Sequence, residues 1–150
     1  MPPDRPAPGS AADWMRRARS DLALASVTLP PDVLYSELCF HAQQAVEKSI
    51  KAVLIYCAIE FPKAHDIDYL MTLLPQELAL PPGAEEIVGL TSYAVMFRYP
   101  GDYEDVTAED YQWALQAART VYTWAEEIIW ENGSGERCPQ PDHNRKEQNG

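Results

Sequence analysis

No apolar run in this sequence approaches the roughly 20 residues that a membrane-spanning helix needs, so no membrane span is expected. The amino terminus, MPPDRPAPGS, has neither a basic start nor an apolar stretch of the secretory kind, and a cytoplasmic location follows as the expectation. Cysteine is scarce and odd in number, three in 150 residues, which argues against a disulfide framework and for reduced thiols. Strict polar/apolar alternation between glycine turns, the mark of β-strands, is missing. So are a glycine-rich phosphate loop and a Gly-x-Ser-x-Gly elbow, which removes the common nucleoside-triphosphate and hydrolase signatures and leaves no cofactor implied.

Basic side chains are also few. Lys and Arg number 12 against 23 Asp and Glu, a formal charge of −11. The whole deficit falls within residues 12–131, where 8 bases face 19 acids, because the flanking segments are neutral. Such a body repels DNA, since affinity for nucleic acid rests largely on neutralised phosphates. An RNA or nucleotide ligand could be met only at a local site.

What the chain does have is a 46% hydrophobic content with 10% aromatics, enough for one core at this length. Its thirteen prolines fall in clusters and leave proline-free segments between them, which are the candidate helices because proline cannot continue a helix interior. The first is expected over about 13–28, with Ser10 as cap and Trp14, Ala18, Leu22 and Ala25 as the buried face. A long central helix follows Pro30-Pro31, capped by Asp32 and reaching about residue 60. Its apolar set is broad, and the opposite stripe, Gln43, Gln44, Glu47, Lys48 and Lys51, reads as polar and solvated. A short helix over about 66–74, another from about Ala84 to Arg98, and a last one capped by Thr107 and running to about Glu131 complete the set. Short connections favour antiparallel neighbours, so the fold class is all-α, an up-and-down four-helix bundle with one additional short helix. Residues 1–11 and 132–150, rich in Pro, Gly, Ser, Asn and Gln, read as disordered tails around a domain at 12–131.

Four segments then occur in a telling order: Trp14 with ARSDL at 18–22; the run FHAQQAVEKSIKAVL at 40–54; His65-Asp66-Ile67 with Leu70, Leu73 and Leu74; and Tyr93 followed by Phe97-Arg98-Tyr99-Pro100. With them, residues 12–131 resemble the HEPN domain family. The resemblance implies a helical bundle that dimerises around a polar cleft. It also implies partnership with a minimal nucleotidyltransferase in toxin–antitoxin or nucleotide-handling modules. Many members of that family are metal-independent ribonucleases using an Arg followed four to six residues later by a His. Arg98 matches the Arg and is the candidate catalytic residue, but Tyr99 to Asp105 contain no His. In-line attack by a ribose hydroxyl needs a group that exchanges protons near neutrality, which Asp105 is not at an ordinary carboxylate pKa near 3.9. A nucleotide-binding or partner-binding role is therefore favoured over ribonuclease activity, with a His from elsewhere, His41 or His65, as the alternative.

The cleft candidates are Gln44, Glu47, Lys48, His65, Arg98 and Tyr99. Each has a plainer reading. Arg98 can complement the dipole at its own helix end, Glu47 and Lys51 can be an ordinary i, i+4 pair, and Asp66 beside His65 can be a cap. Arg16, Arg17 and Arg19 read as an exposed basic cluster near acids. Metal binding is not expected, because Cys39 and His41 cannot share a helix face, Cys57 is far along, and Cys138 with His143 lies in the tail without a second ligand pair. Trp113, Tyr122, Trp124 and Trp130 do not share one stripe, so some are expected at a contact with a second copy or a partner.

Overall fold

The computed structural model describes residues 5–89 and 105–131, and these are helical with no strand among them. Among the described residues five helices occur in this order: α1 Ala11–Ala25, α2 Tyr35–Tyr56, α3 Ile67–Thr72, α4 Ala84–Ile87 and α5 Ala108–Glu126, the last continued by a wider π-helical turn, Glu127–Glu131.

The starts of α1, α3 and α5 are set locally. Ser10 accepts the backbone N–H of Asp13, and Asp66 accepts that of Asp68. Thr107 and Asp110 form a reciprocal capping box, a contribution of about 1 kcal/mol for a cap of this kind. Asp32 is not the cap of α2. It takes a left-handed backbone (φ 66°), and the helix opens three residues later with Leu34 in the cap position and no side-chain cap bond. The double proline ahead of it leaves a turn that must be completed before the helix can start. At the other end Ala58 is left-handed (φ 58°), which stops α2 at Tyr56, short of residue 60. Of the expected fourth helix only Ala84–Ile87 forms α4, which gives way to a turn at Val88 and Gly89, and the stretch towards Arg98 lies outside the described residues.

Helix directions follow from which residues meet. Asp21 of α1 touches Lys48 of α2, while Trp14, two turns earlier, lies beside Lys51, so α1 and α2 are antiparallel. Tyr35 and Tyr111 stack at 5.2 Å between centroids, which brings the starts of α2 and α5 together. The Tyr111 hydroxyl donates to the Ala25 carbonyl at the end of α1, so α1 runs against α5 as well. Helix α2 is the axis of the core: Ala42, Ala45, Val46, Ile50, Ala52, Val53 and Leu54 are fully buried against α1, α3 and α5. Among the described residues no helix is long and apolar enough to cross a membrane.

Asp13, in the first turn of α1, shows how charge is used here. Its carboxylate accepts the Gly9 N–H at 3.0 Å and also pairs with Arg16 and Arg17. The backbone bond from Gly9 holds its pKa below the ordinary 3.8; burial opposes this, and the two arginines add to it. A lowered folded-state pKa makes the carboxylate stabilising above the unfolded value, and this contribution disappears as pH falls through the folded value. Asp13→Asn is accordingly expected to be less stable than the parent near neutrality, with the gap closing below about pH 4. Parallel urea unfolding series of both proteins, stepped through the acid range, measure it; a gap independent of pH would show that the charge of Asp13 contributes nothing.

Candidate functional site

Two polar rows run along α2, offset by one position. His41, Gln44 and Lys48 form one, at i, i+3 and i+7, and Gln43, Glu47 and Lys51 form the other, at i, i+4 and i+8.

The first row lies at the edge between α1 and α2 and is half-buried. It converges on Asp21. The His41 Nδ1 lies 3.0 Å from one carboxylate oxygen of Asp21, and the Lys48 ammonium donates to the other. A carboxylate only accepts, so Nδ1 carries the hydrogen and Nε2 of a neutral His41 is left as the acceptor. Gln44 donates to the Gln43 side-chain oxygen at 2.9 Å and ties the two rows together.

The second row is not a solvated stripe, which corrects the expectation from the sequence. Gln43, Glu47 and Lys51 are 3%, 2% and 5% exposed. Lys51 Nζ lies 3.4 Å from Glu47 Oε2 and sits 5.4 Å and 5.8 Å from the ring centroids of Trp14 and Phe61. The same carboxylate takes the Nδ1 hydrogen of His65 at 3.2 Å. The i, i+4 pairing expected of Glu47 and Lys51 is present, but Trp14 from α1 and Phe61 and His65 from the segment after α2 close over it. A nearly buried ammonium is held here by a carboxylate and two aromatic faces. Among the described residues no buried side-chain nitrogen or oxygen lacks a hydrogen-bond partner.

Of the six cleft candidates, the structure thus places Gln44 and Lys48 on one edge and Glu47 with His65 in a separate, largely closed cluster. Arg98 and Tyr99 lie outside the described residues. Asp21 was missed as a site residue, although a signal existed: it falls three residues after Ala18 and four before Ala25, on the buried face of α1, where a carboxylate requires a partner. Lys51 was visible as a charge, not as a buried one.

The remaining candidates settle more simply. Arg16 and Arg17 both pair with Asp13 on the surface. Trp124 is buried and donates its indole N–H to the Ala79 carbonyl at 2.8 Å, while Trp113 and Trp130 are 36% and 51% exposed. Cys39 is buried, and burial, aided by the charge of Asp110, pushes its thiol up to about 11, which keeps it protonated and unreactive. Cys57 is disulfide-bonded, so the expectation of three reduced thiols does not hold. Pairing of this kind depends on where the chain folds back and cannot be read from cysteine spacing. Among the described residues no three His, Cys, Asp or Glu side chains converge as metal ligands.

Comparison with known proteins adds the following. The family described as the HEPN domain matches residues 11–128. The protein named "Putative toxin MJ1304", from Methanocaldococcus jannaschii, is 32% identical over 124 residues, which span 72% of this chain and 80% of that protein. The crystal structure of TT1696 from Thermus thermophilus superposes with a TM-score of 0.68 at 28% identity, covering 79% of this chain and 98% of that one.

Proposed function

This chain belongs to the HEPN domain family, and from that premise we propose that it is a dimeric binding module of a toxin-type system. In this reading the α1/α2 edge, with Gln44 and Lys48, engages a nucleotide or a nucleotidyltransferase partner. The observation that carries it is the charge state of that edge. Lys48 and His41 are both engaged by Asp21, on a protein of net charge −11, so the edge offers oriented hydrogen-bonding groups and not the surplus of positive charge that tracking an RNA backbone requires. The lack of a His in the four to six residues after Arg98 agrees with this. The name of the archaeal relative supports the toxin-type setting.

A second reading, a ribonuclease toxin using Arg98 with a His from elsewhere, has one observation in its favour. His41 has the arrangement of a general base, an imidazole whose Nδ1 is oriented by a carboxylate and whose side chain is 32% exposed. His65 is less suited, because its carboxylate partner, Glu47, is already paired with Lys51.

One set of measurements separates the two. The purified chain is examined by light scattering at micromolar concentration, then for retention of a co-expressed nucleotidyltransferase encoded beside it, for nucleotide binding and for cleavage of single-stranded RNA. The binding reading expects a dimer, partner or nucleotide retention weakened about tenfold or more by Lys48→Glu, and no cleavage. A monomer that binds neither overturns it. Cleavage that falls by about 10²-fold or more in both His41→Ala and Asp21→Asn replaces it with the second reading.

A further inference from the structure

On the outer side of α5, away from the residues that face α2, the segment before α4 forms the wall of a groove of about 310 Å³. The wall is preformed, because the indole N–H of Trp124 donates to the Ala79 carbonyl and ties that segment to the helix. Pro82 supplies exposed apolar surface, and the largely buried Trp124 backs it. Along the helix floor run Gln116, Arg119, Thr123 and Glu127, spaced so that they share one face.

Arg119 is the informative member. Arg16, Arg17, Lys48 and Lys51 each have a carboxylate partner, whereas Arg119, like Arg5, Arg19 and Lys63, makes no hydrogen bond or ion pair among the described residues, and of these four it is the one that lines the groove. Its guanidinium stands in the groove with planar paired donors suited to phosphate or carboxylate. The Thr120 hydroxyl donates to the Gln116 carbonyl at 3.0 Å, which leaves the Gln116 amide and the Thr123 hydroxyl as the neighbouring side-chain donors. Glu127 stands eight residues beyond Arg119, about 12 Å along the axis, where α5 widens into its π-helical turn. A groove with a cation at one end, a carboxylate at the other and an apolar wall between them has a defined complement.

We propose that this groove is a small-molecule site for an amine-bearing aromatic oxyanion, with its oxyanion on Arg119, its ring against Pro82, and its amine donating to Glu127. The head group can be a carboxylate or a phosphate monoester. This site shares no residue with the α1/α2 edge, so the two proposals stand or fall separately.

The test is a titration of the full chain with 4-aminobenzoate, benzoate, adenosine monophosphate and adenosine, each to about 5 mM, followed by the Arg119 side-chain and Trp124 indole signals in nitrogen-15 NMR spectra. The expected result is saturable movement with 4-aminobenzoate, with adenosine monophosphate, or with both, and weaker or no binding of benzoate and adenosine. Which of the two amine-bearing anions binds identifies the head group. Arg119→Gln, at an exposed position, is expected to keep the parent's thermal midpoint and lose binding about tenfold or more. Glu127→Gln is expected to bring 4-aminobenzoate and benzoate to about equal affinity. No saturable shift with any probe, or binding that Arg119→Gln leaves unchanged, overturns the proposal.

Discussion

Replacing Lys51 by alanine is expected to lower the stability of the fold by about 3–5 kcal/mol, the cost of leaving a buried charge without its partner. Glu47 is 2% exposed and Lys51 5%, so neither can turn to water when the other is removed. Among the described residues the His65 side chain, 78% exposed, is the remaining donor to Glu47. The loss extends beyond charge, because the lysine stem also fills space between Trp14 and Phe61. Urea unfolding at neutral pH, read by helical circular dichroism, measures the difference. A loss under about 1 kcal/mol would mean that water reaches Glu47 and that the pair is not closed. The double change Glu47→Gln with Lys51→Met is expected to recover most of the loss, since removing both charges removes the uncompensated one as well.

The second large effect is a cavity at the axis of the bundle. Leu54 is fully buried on α2, and Leu54→Ala is expected to lower stability by about 2–5 kcal/mol, through lost transfer energy and the void left behind. Its neighbour Ile55 is 36% exposed and faces the other way, so Ile55→Ala is expected to cost no more than about 1 kcal/mol. Adjacent positions on one helix thus give a contrast larger than helix propensity produces, because Leu and Ile differ in propensity by only about a few tenths of a kcal/mol. Equal losses at the two sites would contradict the placement of α2, since rotating that helix by one position would exchange their environments.

The rotation of α2 is also where the sequence was least readable. Gln43, Glu47 and Lys51 recur at intervals of four and mark a stripe, but a polar stripe reads as solvated unless something is known to cover it. Trp14 lies 37 positions before Lys51, and Phe61 and His65 follow a break in the helix; no local pattern ties them to it. The same holds for Asp21, whose partners His41 and Lys48 are 20 and 27 residues away. The helix ends at Ser10, Asp66 and Thr107 were readable for the opposite reason. Each cap closes a hydrogen bond two or three residues along the chain, so the local residues alone decide it. Asp32 has the right residue type for a cap and fails, because the prolines before it set the turn that the backbone takes there.

By itself, then, the sequence determined an all-helical chain, its acidic charge, most of its helix starts and its membership of the HEPN family, since these rest on composition, short-range bonds and ordered segments. Only the tertiary structure decided which charges are inside. Burial of Glu47 with Lys51, and the meeting of His41 and Lys48 on Asp21, depend on helices packing against one another. A charge changes its chemistry when distant side chains displace the water around it, and which side chains do so is a property of the packed bundle.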